Sequence, residues 1–315
     1  MLLSYVIMRL TIFILCFVTC NLALVDIIDG KNLNNDKKEV ALYYETRGKG
    51  PPVILLHGFG GNIYSWHHLV GPLSKDHELF LIDLKGFGKS PKPHDDHYEV
   101  RDQAELIYKF IVAHKLTNLT LIGHSLGGGV ALLIALELLK ERPGNLRQLV
   151  LIDAAAYKQD LPDFIDILRT PLLGPLVTSI LSDKQKVRMI LKKAYYDDSK
   201  ITEEQVTAYA APLRTAGGTY ALIRTAKSII PANVQQISEK YKDINVPTLI
   251  LWGRQDRIVP LQIGQRLHKD IARSELVVID NCGHIPHEEK PEDALNAISR
   301  FLRGDSNITN SSPPK

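Results

Sequence analysis

Ser125 stands in Gly123-His124-Ser125-Leu126-Gly127, a G-x-S-x-G pattern between a short β-type run (residues 119–122) and a helical apolar pattern that begins at Leu126. So tight a strand-to-helix turn forces its middle residue into a strained backbone conformation, and small residues two before and two after it leave space for neighbouring chain. The turn presents Ser125 at a helix N-terminus, where outward N–H groups favour developing negative charge. A serine hydroxyl is a poor nucleophile until an imidazole takes its proton, and that imidazole needs an acid to fix its tautomer and stabilise its charge. Two later loops offer both: Asp256 follows the β-type run 247–252, and His284 follows the run 275–279. His287 lies close enough to His284 to compete, but Gly283 suits a tight turn that aims the His284 ring. For the acid the alternative is Asp153, at the end of the run 149–152; Asp256 is preferred because it follows the strand leading into the His284 unit.

Acyl transfer also needs donors for an oxyanion. The Gly-rich turn His57-Gly58-Phe59-Gly60-Gly61 ends the run 53–56, so the N–H groups of Phe59 and Leu126 form the expected pair. His57 is expected to hold the turn by hydrogen bonding, and Cys282 to be a small packed residue. Gly86-Phe87-Gly88 resembles a nucleotide-binding loop only in part: Pro91 replaces the last glycine of G-x-G-x-x-G and no helix opens there, so phosphate binding is not expected. The chemistry so arranged needs no metal and no organic cofactor.

The elements that must position these residues alternate. Strand patterns are predicted at 40–46, 53–56, 78–82, 119–122, 149–152, 247–252 and 275–279, with helical spacing at 98–114 and from 126 to about 141. Short continuous apolar runs joined by helices imply an α/β fold, a mostly parallel doubly wound sheet covered on both faces. Residues 40–154 and 245–303 are its two parts. Between them, 155–244 shows only helical patterning punctuated by prolines, with a capping box at Thr202 and Gln205. Its apolar content predicts a helical lid over the carboxyl end of the sheet. The face carrying Phe164, Ile167, Leu168, Leu172 and Leu176 is expected to meet the apolar part of a substrate, with Leu172 and Leu176 as the candidate binding residues.

Lysine and arginine (38) nearly balance aspartate and glutamate (35) and are scattered, which excludes nucleic acid as a partner. Residues 1–25 are almost wholly apolar around Arg9 and predict a signal peptide or a membrane anchor, with acylation of Cys20 as a variant of the latter. Export or membrane association through this segment is expected, to the periplasm or exterior in a bacterium, ahead of a cytoplasmic location. Residues 26–39 read as a linker and 304–315 as a disordered polar tail. With Cys16 and Cys20 in the apolar run, Cys282 has no disulfide partner in the body of the chain.

Over residues 40–302 the chain resembles the α/β-hydrolases, in the lid-bearing branch that includes haloperoxidases and epoxide hydrolases. The resemblance rests on His57-Gly58-Phe59-Gly60-Gly61, the Asp83–Ser90 loop (D-x-x-G-x-G-x-S), Gly123 to Gly128, the stretch from Gly253 to Pro260, and Gly283-His284. It implies a helical lid inserted after the sixth core strand. Epoxide hydrolases and haloalkane dehalogenases of this branch use an Asp nucleophile where this chain has Ser125. Hydrolases that cleave carbon–carbon bonds in ring-cleavage products usually have Asn where this chain has His124. The resemblance therefore implies a carboxylesterase or lipase-like serine hydrolase acting on a small apolar ester, with carbon–carbon hydrolysis and a non-catalytic ligand-binding role as the alternatives.

Overall fold

The computed structural model describes residues 40–171 and 179–305. In chain order these form β1 (Tyr44–Arg47), β2 (Pro52–Leu56), α1 (His67–Leu73), β3 (Glu78–Ile82), α2 (Val100–Ala113), β4 (Leu119–His124), α3 (Leu126–Glu141) and β5 (Leu146–Ile152). Then come α4 (Asp163–Arg169), α5 (Asp183–Ala194), α6 (Glu203–Ala210), α7 (Gly218–Lys227) and α8 (Val234–Ser238). The chain closes with β6 (Thr248–Gly253), α9 (Leu261–Asp270), β7 (Ser274–Ile279), α10 (Pro286–Glu289) and α11 (Pro291–Leu302).

The described strands make one seven-stranded sheet in the order β1-β3-β2-β4-β5-β6-β7, parallel except for the antiparallel edge strand β1. Side chains two apart share a face, so each apolar strand feeds two cores. Ile54, Leu56, Leu121, Leu149 and Leu151 pack with α2, α3 and α9 on one face. Val53, Leu55, Ile122, Val150, Leu249 and Leu251 pack with α1 and α11 on the other. The expected strand at 40–46 is displaced to Tyr44–Arg47, because only the residues opposite Leu79 to Ile82 find ladder partners.

Helices α4 to α8 lie between the fifth and sixth strands. The insertion therefore follows the fifth strand, one earlier than expected, because a single antiparallel strand precedes β2 among the described residues. Its helices α5 and α6 have a small core of their own, built from Val187, Leu191, Tyr195, Val206 and Tyr209, which reaches the main body at Ile285. The capping box forms as expected: Thr202 Oγ1 accepts the Gln205 N–H, and Gln205 Oε1 accepts the Thr202 N–H. Gly304 and Asp305, the first two residues of the expected tail, are among the described residues. Gly304 at φ 84° ends α11, and the N–H groups of Gly304 and Asp305 donate back to Phe301 and Arg300 carbonyls. The predicted signal or anchor segment, the linker, Cys20, the rest of the tail, Leu172 and Leu176 lie outside the described residues. Among the described residues no helix is long and apolar enough to cross a membrane.

Candidate active site

Ser125 joins β4 to α3 with φ 52° and ψ −117°, a conformation that a non-glycine residue holds only where its surroundings over-determine it. Its N–H donates to the Ile152 carbonyl (2.9 Å), and its own carbonyl accepts from Gly128, Gly129 and Ala155. Small residues are obligatory beside it. A Cβ on Gly123 would lie 2.3 Å from the Gly127 carbonyl oxygen, and one on Gly127 would lie 2.2 Å from that of Leu56. The pattern thus lets β4, α3 and the end of β2 converge behind Ser125.

His284 and Asp256 meet as expected from the loops after β7 and β6: the ring Nδ1–H donates to Asp256 Oδ2 at 2.7 Å. Asp256 Oδ1 accepts the N–H groups of Ile258 (2.7 Å) and Val259 (3.0 Å), so the carboxylate is fixed from both oxygens. That bond leaves Nε2 of His284 as the unprotonated nitrogen. Asp153, the alternative acid, is buried against the same pair, and its Oδ1 accepts the Gly253 N–H. Burial first, and then the Asp256 charge, hold the Asp153 carboxyl well above the usual carboxylate range.

Leu126 opens α3, where the first N–H groups have no intrahelical acceptor. Phe59 follows β2, and a Cβ on the preceding Gly58 would lie 3.1 Å from Ser125 Cβ, so this turn runs directly beside the serine. His57 has the structural role expected of it: Nδ1–H donates to the Gly58 carbonyl (2.8 Å), and Nε2 accepts the Leu84 N–H (3.0 Å). Burial lowers its pKa, in keeping with this neutral tautomer. The Gly86-Phe87-Gly88 loop is used internally, since Asp83 accepts the N–H groups of Ile63 and Lys89, and a Cβ on Gly88 would overlap its carboxylate. Cys282 is buried, and burial pushes its thiol pKa up, away from nucleophilic use.

A second layer was not anticipated from the sequence. His124 Nε2–H donates to the His284 carbonyl (2.8 Å), and burial keeps the ring neutral, far below the ordinary histidine range. His287, the alternative ring, is engaged by other partners. It is buried, stacks on Trp66, bonds Ser65 Oγ through Nε2 and has its pKa pushed down to about 3 by burial and the neighbouring His284. Glu288 accepts from Ser65, Tyr209 and Gln205, and burial pushes its pKa up to about 7. Glu289 is equally buried. In the sequence these acids look like the solvated start of a helix, and only a following Lys-Pro marks them; nothing local signals that they turn inward.

Ser125, His124, His284, Phe59 and Leu126 share one cavity of about 120 Å³. Its other walls are apolar residues of the core and the insertion, among them Leu133, Phe164, Ile165, Ile190, Ile229, Val234 and Ile258, with Tyr157, Gln159 and Tyr241 as the further polar residues. Tyr157 and Tyr241 spend their hydroxyls on Asp270 and the Ala156 carbonyl. Of the lid face expected to meet substrate, Phe164 lines the cavity and Leu168 is buried in the core, whereas Ile167 is 38% exposed. The short helix α4 turns that position outward. No Lys, Arg, Asp or Glu is among the described residues that line the cavity.

A family model described as the alpha/beta hydrolase family matches residues 53–298. The chain is 29% identical over 266 residues to a 2-hydroxy-6-oxo-2,4-heptadienoate hydrolase of Pseudomonas putida, covering 81% of this chain and 90% of that one. Among solved structures it is similar to a meta-cleavage product hydrolase from Pseudomonas fluorescens, with a TM-score of 0.71, 25% identity, and 85% and 96% of the two chains covered. It is similar to the same degree to an esterase from Exiguobacterium antarcticum, with a TM-score of 0.70, 25% identity, and 83% and 95% covered.

Proposed function

The chain belongs to the alpha/beta hydrolase family, and from that premise we propose that it is a serine hydrolase of uncharged carboxylic esters with a small or medium apolar group. The observation that carries this reading is the cavity: Ser125, His124, His284 and the two candidate N–H donors Phe59 and Leu126 share it with mostly apolar walls, and no Lys, Arg, Asp or Glu is among the described residues that line it. A carboxylate placed there would lose its hydration with no Lys or Arg among the described lining residues to replace it, at a cost of several kcal/mol. The dienoate hydrolases among its relatives are named for substrates that carry such a group, so their chemistry fits this cavity less well than ester cleavage does.

In this mechanism His284 Nε2 removes the Ser125 proton as Oγ attacks the ester carbonyl carbon. The N–H groups of Phe59 and Leu126 hold the resulting oxyanion. The intermediate collapses, the C–O bond to the alcohol breaks, and the proton on His284 goes to the departing oxygen. Water then attacks the acyl-serine with His284 again as base, and the acid and Ser125 are released. Asp256 keeps the ring in the tautomer with Nε2 bare and stabilises the imidazolium.

The test is a pair of esters matched in length, p-nitrophenyl butyrate and mono-p-nitrophenyl succinate, alongside a 2-hydroxy-6-oxo-dienoate. The butyrate is expected to have a kcat/KM at least roughly 100-fold above the succinate, as an unpaired buried charge requires. Equal values would show that the cavity accepts a charged group and remove the argument against a carboxylate, and a dienoate turned over faster than either ester would replace ester hydrolysis by carbon–carbon hydrolysis as the function.

A further inference from the structure

We propose that Glu289 is a positioning residue for His284, tying the main chain of the catalytic base to the end of α5, so that the insertion forms part of the catalytic framework as well as the cavity wall. The proposal rests on the reading of His284 as the base. Glu289 is 1% exposed and belongs to no step of the mechanism. Its Oε2 accepts the N–H of Gly283, the residue before His284, at 2.7 Å. Its Oε1 accepts the N–H groups of Tyr196 (3.0 Å) and Asp197 (2.8 Å), just beyond α5 and some ninety positions away in sequence. One carboxylate thus spans two segments that share no strand or helix.

The same two segments touch again through the backbone. The His284 N–H donates to the Ala194 carbonyl, the last residue of α5, at 2.6 Å. A Cβ on Gly283 would lie 2.1 Å from that carbonyl oxygen, so the approach is as close as a glycine allows. Lys200 Nζ donates to the Glu289 carbonyl (2.7 Å) and holds α10 from the insertion side. Asp256 fixes the imidazole through its side chain, but a ring can be aimed only as well as its Cα is placed. Charge-assisted bonds to main-chain N–H groups are the stronger kind, and this buried carboxylate gives all its acceptance to them.

The experiment compares wild type with Glu289→Gln and Glu289→Asp on samples whose active sites are counted by fluorophosphonate uptake. Glu289→Gln keeps the length but sets an amide donor against N–H donors, and kcat per active site is expected to fall roughly 10- to 100-fold, the cost of a displacement near 1 Å, with KM little changed. Loss of a carboxylate near the imidazolium lowers the pKa of that ring, so the acid limb of kcat/KM should move to lower pH. Glu289→Asp keeps the charge but is too short to span both segments; it should lose kcat and keep the acid limb. A lower melting temperature with kcat per site and pH profile unchanged in both variants would make Glu289 merely structural and overturn the proposal. Should neither variant fold, hydrogen exchange on the wild type decides: the amides of Gly283, Tyr196 and Asp197 should be protected together, and free exchange at Tyr196 and Asp197 beside a protected Gly283 would overturn it. A wild type that takes no probe and cleaves no ester would instead refute the ester-hydrolase reading, which the exchange data do not depend on.

Discussion

Asp153 and Asp256 share one buried site, yet their bonding assigns them different work. Asp256 accepts from His284, Ile258 and Val259, while burial raises the Asp153 carboxyl pKa well above the usual range and its Oδ1 accepts the Gly253 N–H. An asparagine is a close copy of a neutral carboxylic acid, so Asp153→Asn should leave turnover and stability nearly unchanged. Asp256→Asn keeps the shape but favours the wrong imidazole tautomer, and kcat should fall about 10⁴-fold, the size of that effect in a well-studied serine enzyme. Rates and thermal melts of both variants check this, and the reverse ranking would move the acid to β5. At this scale the sequence was legible where chemistry demands rare neighbours. Ser125 between two glycines and His284 after Gly283 line one cavity, and Asp256 after an apolar run bonds the His284 ring. Glu288 and Glu289 were not legible, because a buried acid and a solvated one have the same letter and the same helical context.

The elements divide in the same way. Strands buried on both faces announce themselves as apolar runs, and β2 to β7 lie within three residues of the expected positions. Edge strand β1 has no such run and takes its place only by pairing with β3. Helix α1 was not among the expected elements; Gly71 and Pro72 are poor helix formers, and the helix is held where Leu69 and Leu73 reach the core. The link between α10 and α6 has a pH dependence of calculable sign. Glu288 on α10 accepts from Gln205 and Tyr209 of α6, and its folded pKa of about 7 exceeds the ordinary 4.5. The folded state therefore holds a proton that the unfolded chain has released between those values, and stability falls as pH rises through that window. The fall should total on the order of 3 kcal/mol at most and level off above pH 7. Urea melts of wild type and Glu288→Gln at pH 4.5, 6 and 8 test it: the variant should gain on the wild type as pH rises, and a constant gap would remove Glu288 from the linkage.

For the molecule as a whole, the doubly wound sheet collects at one end what the chain keeps far apart, and residues of α4, α5 and α8 help to wall an apolar space beside it. Alternating strand and helix patterns made the sheet and the insertion legible; the shape of the cavity was not, because it depends on which side chains of five short helices turn inward, as Phe164 does and Ile167 does not. A cavity of about 120 Å³ holds roughly ten water-sized groups. Across p-nitrophenyl esters kcat/KM should thus rise with acyl length and fall beyond about eight carbons; a profile flat from acetate to dodecanoate would place the acyl chain outside this space. The central claim is that Ser125 is the nucleophile, and labelling by a fluorophosphonate followed by peptide mapping addresses it most directly. One equivalent of probe should be found on the peptide carrying Ser125, with label and ester hydrolysis both lost in a folded Ser125→Ala. Label on any other residue, or hydrolysis surviving in that variant, would contradict the account.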